Sequence, residues 1–218
     1  MPAANQSDIE SLTLGMGCFW GPEALFGHLP GVIRTRTGYA GGTTPDPTYR
    51  EMGDHSETVE VQFDPAQITL AALLDVFWTN HNPANINGYK GRQYWSILLF
   101  RDSAQQEAIR QAAAERAQIG GLGRAREEET EIAPFHGFYP AEERHQKYYL
   151  KRYPDAIAKL SSLYPNLDDL HNSTLAARLN GLAKGYTNRA RIEQEIAHWQ
   201  ADSSSKEKML HTIRQIRW

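Results

Sequence analysis

The sequence contains a single cysteine, Cys18, among its 218 residues. One cysteine cannot form a disulfide within the chain, so packing has to stabilise the fold. If Cys18 performs redox chemistry, the thiol that returns it to the reduced state must therefore come from another molecule.

Long apolar runs are also missing. The longest uninterrupted apolar stretches, such as residues 70–74 and 97–100, are too short to cross the hydrocarbon of a bilayer. The first eleven residues lack the basic start and apolar centre of a secretory signal. We therefore expect no membrane partner and a cytoplasmic location.

An excess of positive charge is absent as well. The 23 Lys and Arg residues face 26 Asp and Glu residues, so the net charge of −3 does not favour a nucleic-acid partner. The eight histidines are dispersed and lack the spacing of zinc ligands. Residues 120–123 are rich in glycine but lack a phosphate-loop fingerprint, so we expect a turn there, no metal and no bound cofactor.

What the sequence does contain is an alternation of strand-like and helix-like segments in the order βαββαβαβ. This order predicts an α+β fold, a ferredoxin-like split βαβ plait with a mixed sheet, over a catalytic domain of residues 1–165. Residues 166–218 are predicted to form a helical C-terminal extension that packs on this domain or on a partner. The predicted strands are residues 12–16, 32–39, 57–63, 94–100 and 129–132, and the predicted helices are 19–29, 70–78, 103–118, 141–151, 155–163, 193–200 and 206–217.

Cys18 lies between the first predicted strand and the first predicted helix. The amide hydrogens and the positive end of a helix N-terminus favour thiolate over thiol, so this position predicts a lowered pKa and a reactive sulfur. The alternative is a small buried apolar side chain, which is the commonest fate of a lone cysteine.

Three further side chains are candidates on local grounds. Glu57 falls on the apolar face of a predicted strand, where desolvation would raise its pKa and keep it protonated as an acid; the alternative is a strand-end glutamate turned toward water. Phe19 and Trp20 are adjacent, and adjacent side chains diverge by about 100° on a helix. One ring is therefore expected to face the core while the other borders Cys18, although both also fit a buried helical stripe.

Several ordered motifs between residues 12 and 150 resemble the A-type peptide methionine sulfoxide reductases. They are Gly17-Cys18-Phe19-Trp20-Gly21, Gly38-Tyr39-Ala40-Gly41-Gly42, Pro47-Thr48-Tyr49, Gly53-Asp54-His55-Ser56-Glu57, Gln93-Tyr94, Phe138-Tyr139-Pro140-Ala141-Glu142 and His145-Gln146. A set of motifs in one order is far more specific than any single short match.

The resemblance implies thiol-dependent reduction of the S epimer of methionine sulfoxide, free or within proteins. It implies that Cys18 attacks the sulfoxide sulfur, that Glu57 is the acid near the oxygen, and that Tyr49 and Tyr94 donate hydrogen bonds to that oxygen. It further implies that Phe19 and Trp20 hold the methyl group.

The sequence departs from the family pattern in two places. No resolving cysteine follows Cys18, so a sulfenic acid on Cys18 would be recycled through a mixed disulfide by thioredoxin, or by glutathione with glutaredoxin. The loop between His81 and Tyr94 is shortened and lacks the aspartates that the family carries there, with Tyr89 near the place of the second.

Two other functions remain open at this point. One is a cysteine hydrolase, in which His55 or His81 serves Cys18 and Asp54 or Asn82 orients the histidine. The other is a sulfoxide- or peptide-binding protein that keeps the fold without turnover.

Overall fold

A six-stranded mixed sheet organises the first part of the chain in the computed structural model, which describes residues 9–119 and 129–218. The strand order is β6-β5-β1-β3-β2-β7, and neighbouring strands are antiparallel except for the parallel pair β5 and β6. The strands are β1 (Glu10–Met16), β2 (Val32–Ala40), β3 (Ser56–Phe63), β4 (Tyr89–Arg92), β5 (Ser96–Phe100), β6 (Glu131–Pro134) and β7 (Phe138–Pro140), with β4 in the connection that leads to β5. The α+β class and the mixed sheet are thus confirmed.

The helices cover the sheet and then continue alone to the C-terminus. Side chains at several helix starts accept hydrogen bonds from free backbone N–H groups, as Thr69, Ser173, Asn188 and Asp202 do. The helices are α1 (Trp20–Gly27), α2 (Leu70–Thr79), α3 (Pro83–Ile86), α4 (Ser103–Ile119), α5 (Tyr148–Lys151), α6 (Pro154–Leu160), α7 (Leu167–His171), α8 (Thr174–Lys184), α9 (Arg189–His198) and α10 (Ser203–Gln215), and a 3₁₀ turn covers Glu143–His145.

β3 lies in the middle of the sheet and is buried on both faces, whereas its alternating sequence predicted one solvated face. Its polar residue Glu60 is only 6% exposed. The carboxylate is neutralised by Arg36, 2.5 Å away, and by Arg101, 2.9 Å away. These two guanidinium groups lie on the face of β3 that the alternating sequence predicted to be exposed to solvent.

Two large apolar clusters form most of the core of the described residues, and a smaller third cluster surrounds Ala40, Ile97 and Leu99. One large cluster joins β1, β3, α1 and α2, and the other joins Leu150 to helices α6 through α10. The second cluster packs on the first where α8 crosses α1: a Cβ on Gly27 would lie 2.9 Å from the Ala177 carbonyl oxygen, and one on Gly181 would lie 2.4 Å from the Cβ of His28. The predicted domain boundary after residue 165 stays a prediction.

Several predicted segments differ from the structure. The helix predicted over residues 141–151 is wrong, because the backbone of Lys147 is left-handed, with φ at 50°, and separates the 3₁₀ turn from α5. Helices α7 and α8 and strand β7 were not predicted. The turn predicted at residues 120–123 lies outside the described residues. No helix in residues 9–119 or 129–218 has both the length and the apolar character needed to cross a membrane.

Candidate active site

Cys18 lies in the short connection between β1 and α1. Gly17 precedes it with a φ of 84°, a conformation that glycine adopts without steric cost and that turns the chain sharply out of the sheet. Phe19 caps the helix that follows, and the cysteine side chain is half-buried. The thiol is therefore held at the end of the sheet, partly accessible and at the start of a helix, as the sequence predicted.

The carboxyl group of Glu57 lies directly beside this thiol. The antiparallel pairing of β1 with β3 brings the first residues of β3 next to the end of β1. Glu57 is 1% exposed and accepts hydrogen bonds from Phe19 N at 3.1 Å and from Gln93 Nε2 at 2.8 Å, and its carboxyl group interacts with the Cys18 thiol. Because Phe19 directly follows Cys18, the bond to Phe19 N holds the acid next to the proposed nucleophile.

Both groups have raised pKa values. Burial raises the pKa of Cys18 from its ordinary value of 9.0 to about 11, and the negative charge of Glu57 adds to the rise. A hydrogen bond from Trp20 N opposes it but is outweighed. The lowered thiol pKa expected from the helix N-terminus is therefore wrong for this arrangement. Burial also raises the pKa of Glu57, as the sequence predicted.

Two phenol groups complete the polar part of the site. The hydroxyl groups of Tyr49 and Tyr94 lie near each other and interact. Burial raises the pKa of Tyr94, and the charges of Glu57 and Cys18 raise it further, so this phenol stays protonated and remains a hydrogen-bond donor. The structure brings together the four polar residues that the sequence singled out.

The two aromatic side chains after Cys18 diverge. Phe19 is 1% exposed, and its ring packs in the core 6.1 Å from the ring of Tyr39. Trp20 is half-buried; its indole stacks on Tyr148 at 3.7 Å, nearly parallel, and donates from Nε1 to Nδ1 of His145 at 3.3 Å. The contact of either ring with a substrate methyl group stays a prediction.

Some residues of the site carried no local signal in the sequence. Gln93 holds Glu57, and the Glu142 carboxylate accepts from Tyr39 Oη at 2.7 Å and from Tyr49 N at 3.1 Å. Gln93, Glu142 and His145 all lie within the motifs quoted above, so the resemblance was the signal that could have identified them.

The connection between α3 and β5 borders the site. Tyr89 is 72% exposed and stacks on Tyr94 with ring centres 6.1 Å apart. The ammonium group of Lys90 lies 5.9 Å from the centre of the Tyr94 ring, and its charge favours the ionised form of Glu57. The loop therefore places aromatic surface and a cation beside the site.

The histidines of the hydrolase alternative bind elsewhere. His55 Nδ1 accepts from Gly42 N at 3.1 Å, and its Nε2 lies 2.8 Å from the carbonyl oxygen of Thr44. His81 is hydrogen-bonded to the carbonyl oxygen of Phe77 and to Ser96 Oγ. Neither arrangement supplies a base to Cys18, so the geometry does not support acyl transfer. Within the described ranges, no group of three or more His, Cys, Asp or Glu side chains has the geometry to hold a metal ion.

A half-buried thiol next to a buried carboxyl group, with two phenols nearby on an α+β sheet, is an arrangement typical of a thiol-dependent oxidoreductase. The model of the family described as "Peptide methionine sulfoxide reductase" matches residues 10–176, and the chain belongs to this family. The family resemblance read from the sequence is thus confirmed.

Individual relatives agree with this assignment. The chain is 45% identical over 174 residues to a peptide methionine sulfoxide reductase of Drosophila melanogaster, and the match covers 79% of this chain and 68% of the relative. Among solved structures, methionine sulfoxide reductase A of Corynebacterium diphtheriae superposes with a TM-score of 0.56 at 36% identity, over 69% of this chain and 78% of that one. Mxr1 of Saccharomyces cerevisiae in its reduced form gives a TM-score of 0.59 at 28% identity, and the match covers 69% of this chain and 88% of that one.

Proposed function

We propose that this protein reduces the S epimer of methionine sulfoxide to methionine, with Cys18 as the nucleophile and Glu57 as the proton donor. The observation that carries the proposal is the position of the buried Glu57 carboxyl group, which accepts a hydrogen bond from Phe19 N at 3.1 Å and lies beside the Cys18 thiol. The epimer follows from the family resemblance, and the substrate is free or protein-bound methionine sulfoxide.

The first step moves one oxygen atom from the substrate sulfur to the Cys18 sulfur, so the sulfoxide is reduced and the thiol is oxidised by two electrons. The Cys18 thiolate attacks the sulfoxide sulfur and forms a transient sulfur–sulfur bond, while a proton from Glu57 is delivered to the sulfoxide oxygen. The resulting hydroxyl group then leaves the substrate sulfur and bonds to the Cys18 sulfur as a sulfenic acid, and the sulfur–sulfur bond breaks with its electron pair on the substrate, which leaves as the thioether. Because oxide is a poor leaving group, this step depends on the proton.

One shared proton satisfies both requirements of this step. The thiol of Cys18 lies beside Glu57, and transfer of the thiol proton to the carboxylate is proposed to produce the thiolate and the protonated acid together. The raised pKa of Glu57 lowers the cost of placing the proton there. A thiol pKa of about 11 keeps Cys18 protonated until a sulfoxide is bound, which protects it from unselective oxidation.

The remaining side chains hold the sulfoxide. Tyr49 and Tyr94 are proposed to turn their hydroxyl groups from each other to the sulfoxide oxygen, where negative charge develops. The exposed part of Trp20, together with Phe19 at its base, is proposed to contact the methyl group, since a polarisable apolar methyl favours aromatic surface.

Recycling needs two equivalents of an external thiol. The first thiol displaces water from the Cys18 sulfenic acid and forms a mixed disulfide, and the second releases the Cys18 thiol and leaves as the oxidised disulfide. Thioredoxin, or glutathione with glutaredoxin, is proposed as the source of these thiols. The sequence predicts a cytoplasmic location, and the cytoplasm contains both of these reducing systems.

The proposal is tested with each epimer of a dabsylated methionine sulfoxide and with dithiothreitol, thioredoxin, or glutathione plus glutaredoxin as reductant. We expect turnover of the S epimer only. Turnover of the R epimer alone would contradict the proposal, and saturable binding of the sulfoxide without turnover would select the binding-protein alternative.

A further inference from the structure

A buried ion pair lies behind the active site and has no part in the reaction described above. Glu23 is 0% exposed and Lys147 is 1% exposed, and Lys147 Nζ donates to Glu23 Oε1 at 2.7 Å. Glu23 Oε2 also accepts from Lys147 N at 2.8 Å, and Nζ donates to the carbonyl oxygen of Thr35 at 2.7 Å. Burial raises the pKa of Glu23 and lowers that of Lys147, while each partner opposes the shift of the other.

A buried ion pair of this kind is seldom retained for stability alone. Desolvation of two charges offsets much of their attraction, so apolar residues of similar volume stabilise a core equally well. The directional bonds of the pair can instead fix one arrangement of the elements they join. Here those elements are α1, which carries Trp20 and Glu23, and the segment of residues 145–148.

In the segment of residues 145–148, the two middle residues face the interior and the two outer residues contact Trp20. Gln146 and Lys147 anchor it inside: Gln146 Oε1 accepts from Thr37 N at 3.0 Å, and Lys147 binds Glu23. His145 accepts the hydrogen bond from the indole N–H, and Tyr148 stacks on the indole face at 3.7 Å. The left-handed backbone of Lys147 separates these directions, and a non-glycine residue holds that conformation only when its surroundings impose it.

We propose that Glu23 and Lys147 are positioning residues that fix the indole of Trp20 beside Cys18. The inference rests on the proposed function, because the indole matters there as the wall that receives the sulfoxide methyl group. Glu23 lies one helical turn after Trp20 on α1, and Lys147 lies next to Tyr148. The ion pair therefore fixes the position of the indole relative to its stacking partner.

The C-terminal helices extend this anchor. Asn180 of α8 is fully buried; its Nδ2 lies 3.5 Å from Glu23 Oε2, and its Oδ1 accepts from Leu150 N at 3.0 Å. The amide thus joins the helix that carries Glu23 to the helix that follows Lys147. The C-terminal extension takes part in shaping the substrate wall through this side chain.

The test compares substitutions in this ion pair with one in a second ion pair, in which a buried arginine also contacts α1. Lys147→Met and Glu23→Gln each remove a charge from the anchor. Arg178→Met is the control: Arg178 is 2% exposed, binds Glu195 at 2.7 Å and reaches Gly27 O at the far end of α1. For each folded variant, KM and kcat are measured with the S epimer, and the alkylation rate of Cys18 by iodoacetamide is measured without substrate.

We expect Lys147→Met and Glu23→Gln to raise KM about tenfold or more, with kcat and the alkylation rate within about threefold of the unaltered protein. Arg178→Met should keep KM within about twofold even where it lowers stability. If Lys147→Met does not fold, Glu23→Gln, which preserves the side-chain shape, decides.

Either of two KM results would overturn the inference. One is a KM within twofold of the unaltered protein in folded Glu23→Gln, and the other is an equal rise of KM in Arg178→Met. An alkylation rate that falls in proportion to kcat/KM would also overturn it, because the anchor would then act on Cys18 and not on the wall. Absence of turnover in the unaltered protein is a different outcome and refutes the proposed function itself.

Discussion

The carboxyl group of Glu57 lies beside the Cys18 thiol, where its negative charge raises the thiol pKa, while the interaction with the thiol partly offsets the rise in the pKa of Glu57 that burial causes. Glu57 therefore has two effects that oppose each other. Its charge disfavours the thiolate before substrate binds, and its proton is needed when the sulfoxide oxygen leaves.

Glu57→Gln separates these two effects. The substitution removes the negative charge, so the pKa of Cys18 falls below about 11 and alkylation at pH 8 becomes faster. It also removes the proton donor, so the rate of methionine formation falls by about 10²- to 10⁴-fold. Alkylation and single-turnover rates, measured on the same preparation, check both. Parallel slowing of the two rates would show that Glu57 only maintains the structure.

The pH dependence of alkylation tests the thiol pKa directly. With a pKa of about 11, the thiolate fraction of Cys18 is still rising at pH 10, so the rate with iodoacetamide should increase about tenfold per pH unit from pH 7 to pH 10. A plateau below pH 9 would contradict the raised pKa and would restore the effect expected from the helix N-terminus.

The hydroxyl groups of Tyr49 and Tyr94 are predicted to matter more for kcat than those of other tyrosines of the protein. Tyr94→Phe or Tyr49→Phe removes one donor to the sulfoxide oxygen and should lower kcat by about 10²-fold. Tyr164→Phe is the matched control, since its half-buried hydroxyl bonds to Ser173 in the C-terminal helices. Steady-state kinetics of the three variants check this, and an equal effect of Tyr164→Phe would point to stability instead.

The crossing of α1 and α8 gives a prediction about stability. Gly181→Ala places a methyl group 2.4 Å from the Cβ of His28 and should lower the free energy of unfolding by about 1–3 kcal/mol. Gly21→Ala is the control, because no atom lies within 4 Å of its added Cβ, and it should stabilise by about 0.4–1 kcal/mol. Urea unfolding measures both, and equal values would refute the close packing of these helices.

Features with a local cause were predictable from the sequence. The apolar runs of β1 and β5 and the stripe of α2 identified those elements, and the alternation in β3 placed Glu57 on the apolar face. Helix α8 has a local signal of the same kind, because Leu175 and Leu179 lie four residues apart and are both fully buried.

Features with a distant cause were not predictable. The left-handed turn at Lys147 is set by its bonds to Glu23, 124 positions earlier in the chain. The raised thiol pKa of Cys18 depends on burial and on a carboxylate from another strand, so the helix N-terminus alone gave the wrong direction. In both cases tertiary contacts override the local preference.

The most direct test of the account is one turnover without reductant. Because Cys18 is the only cysteine, the protein should form one methionine per chain from the S-sulfoxide and then stop, with Cys18 as a sulfenic acid that dimedone labels. Cys18→Ser should form none. Methionine from the Cys18→Ser variant, or a burst that leaves Cys18 unlabelled, would contradict the central claim that this thiol takes the oxygen.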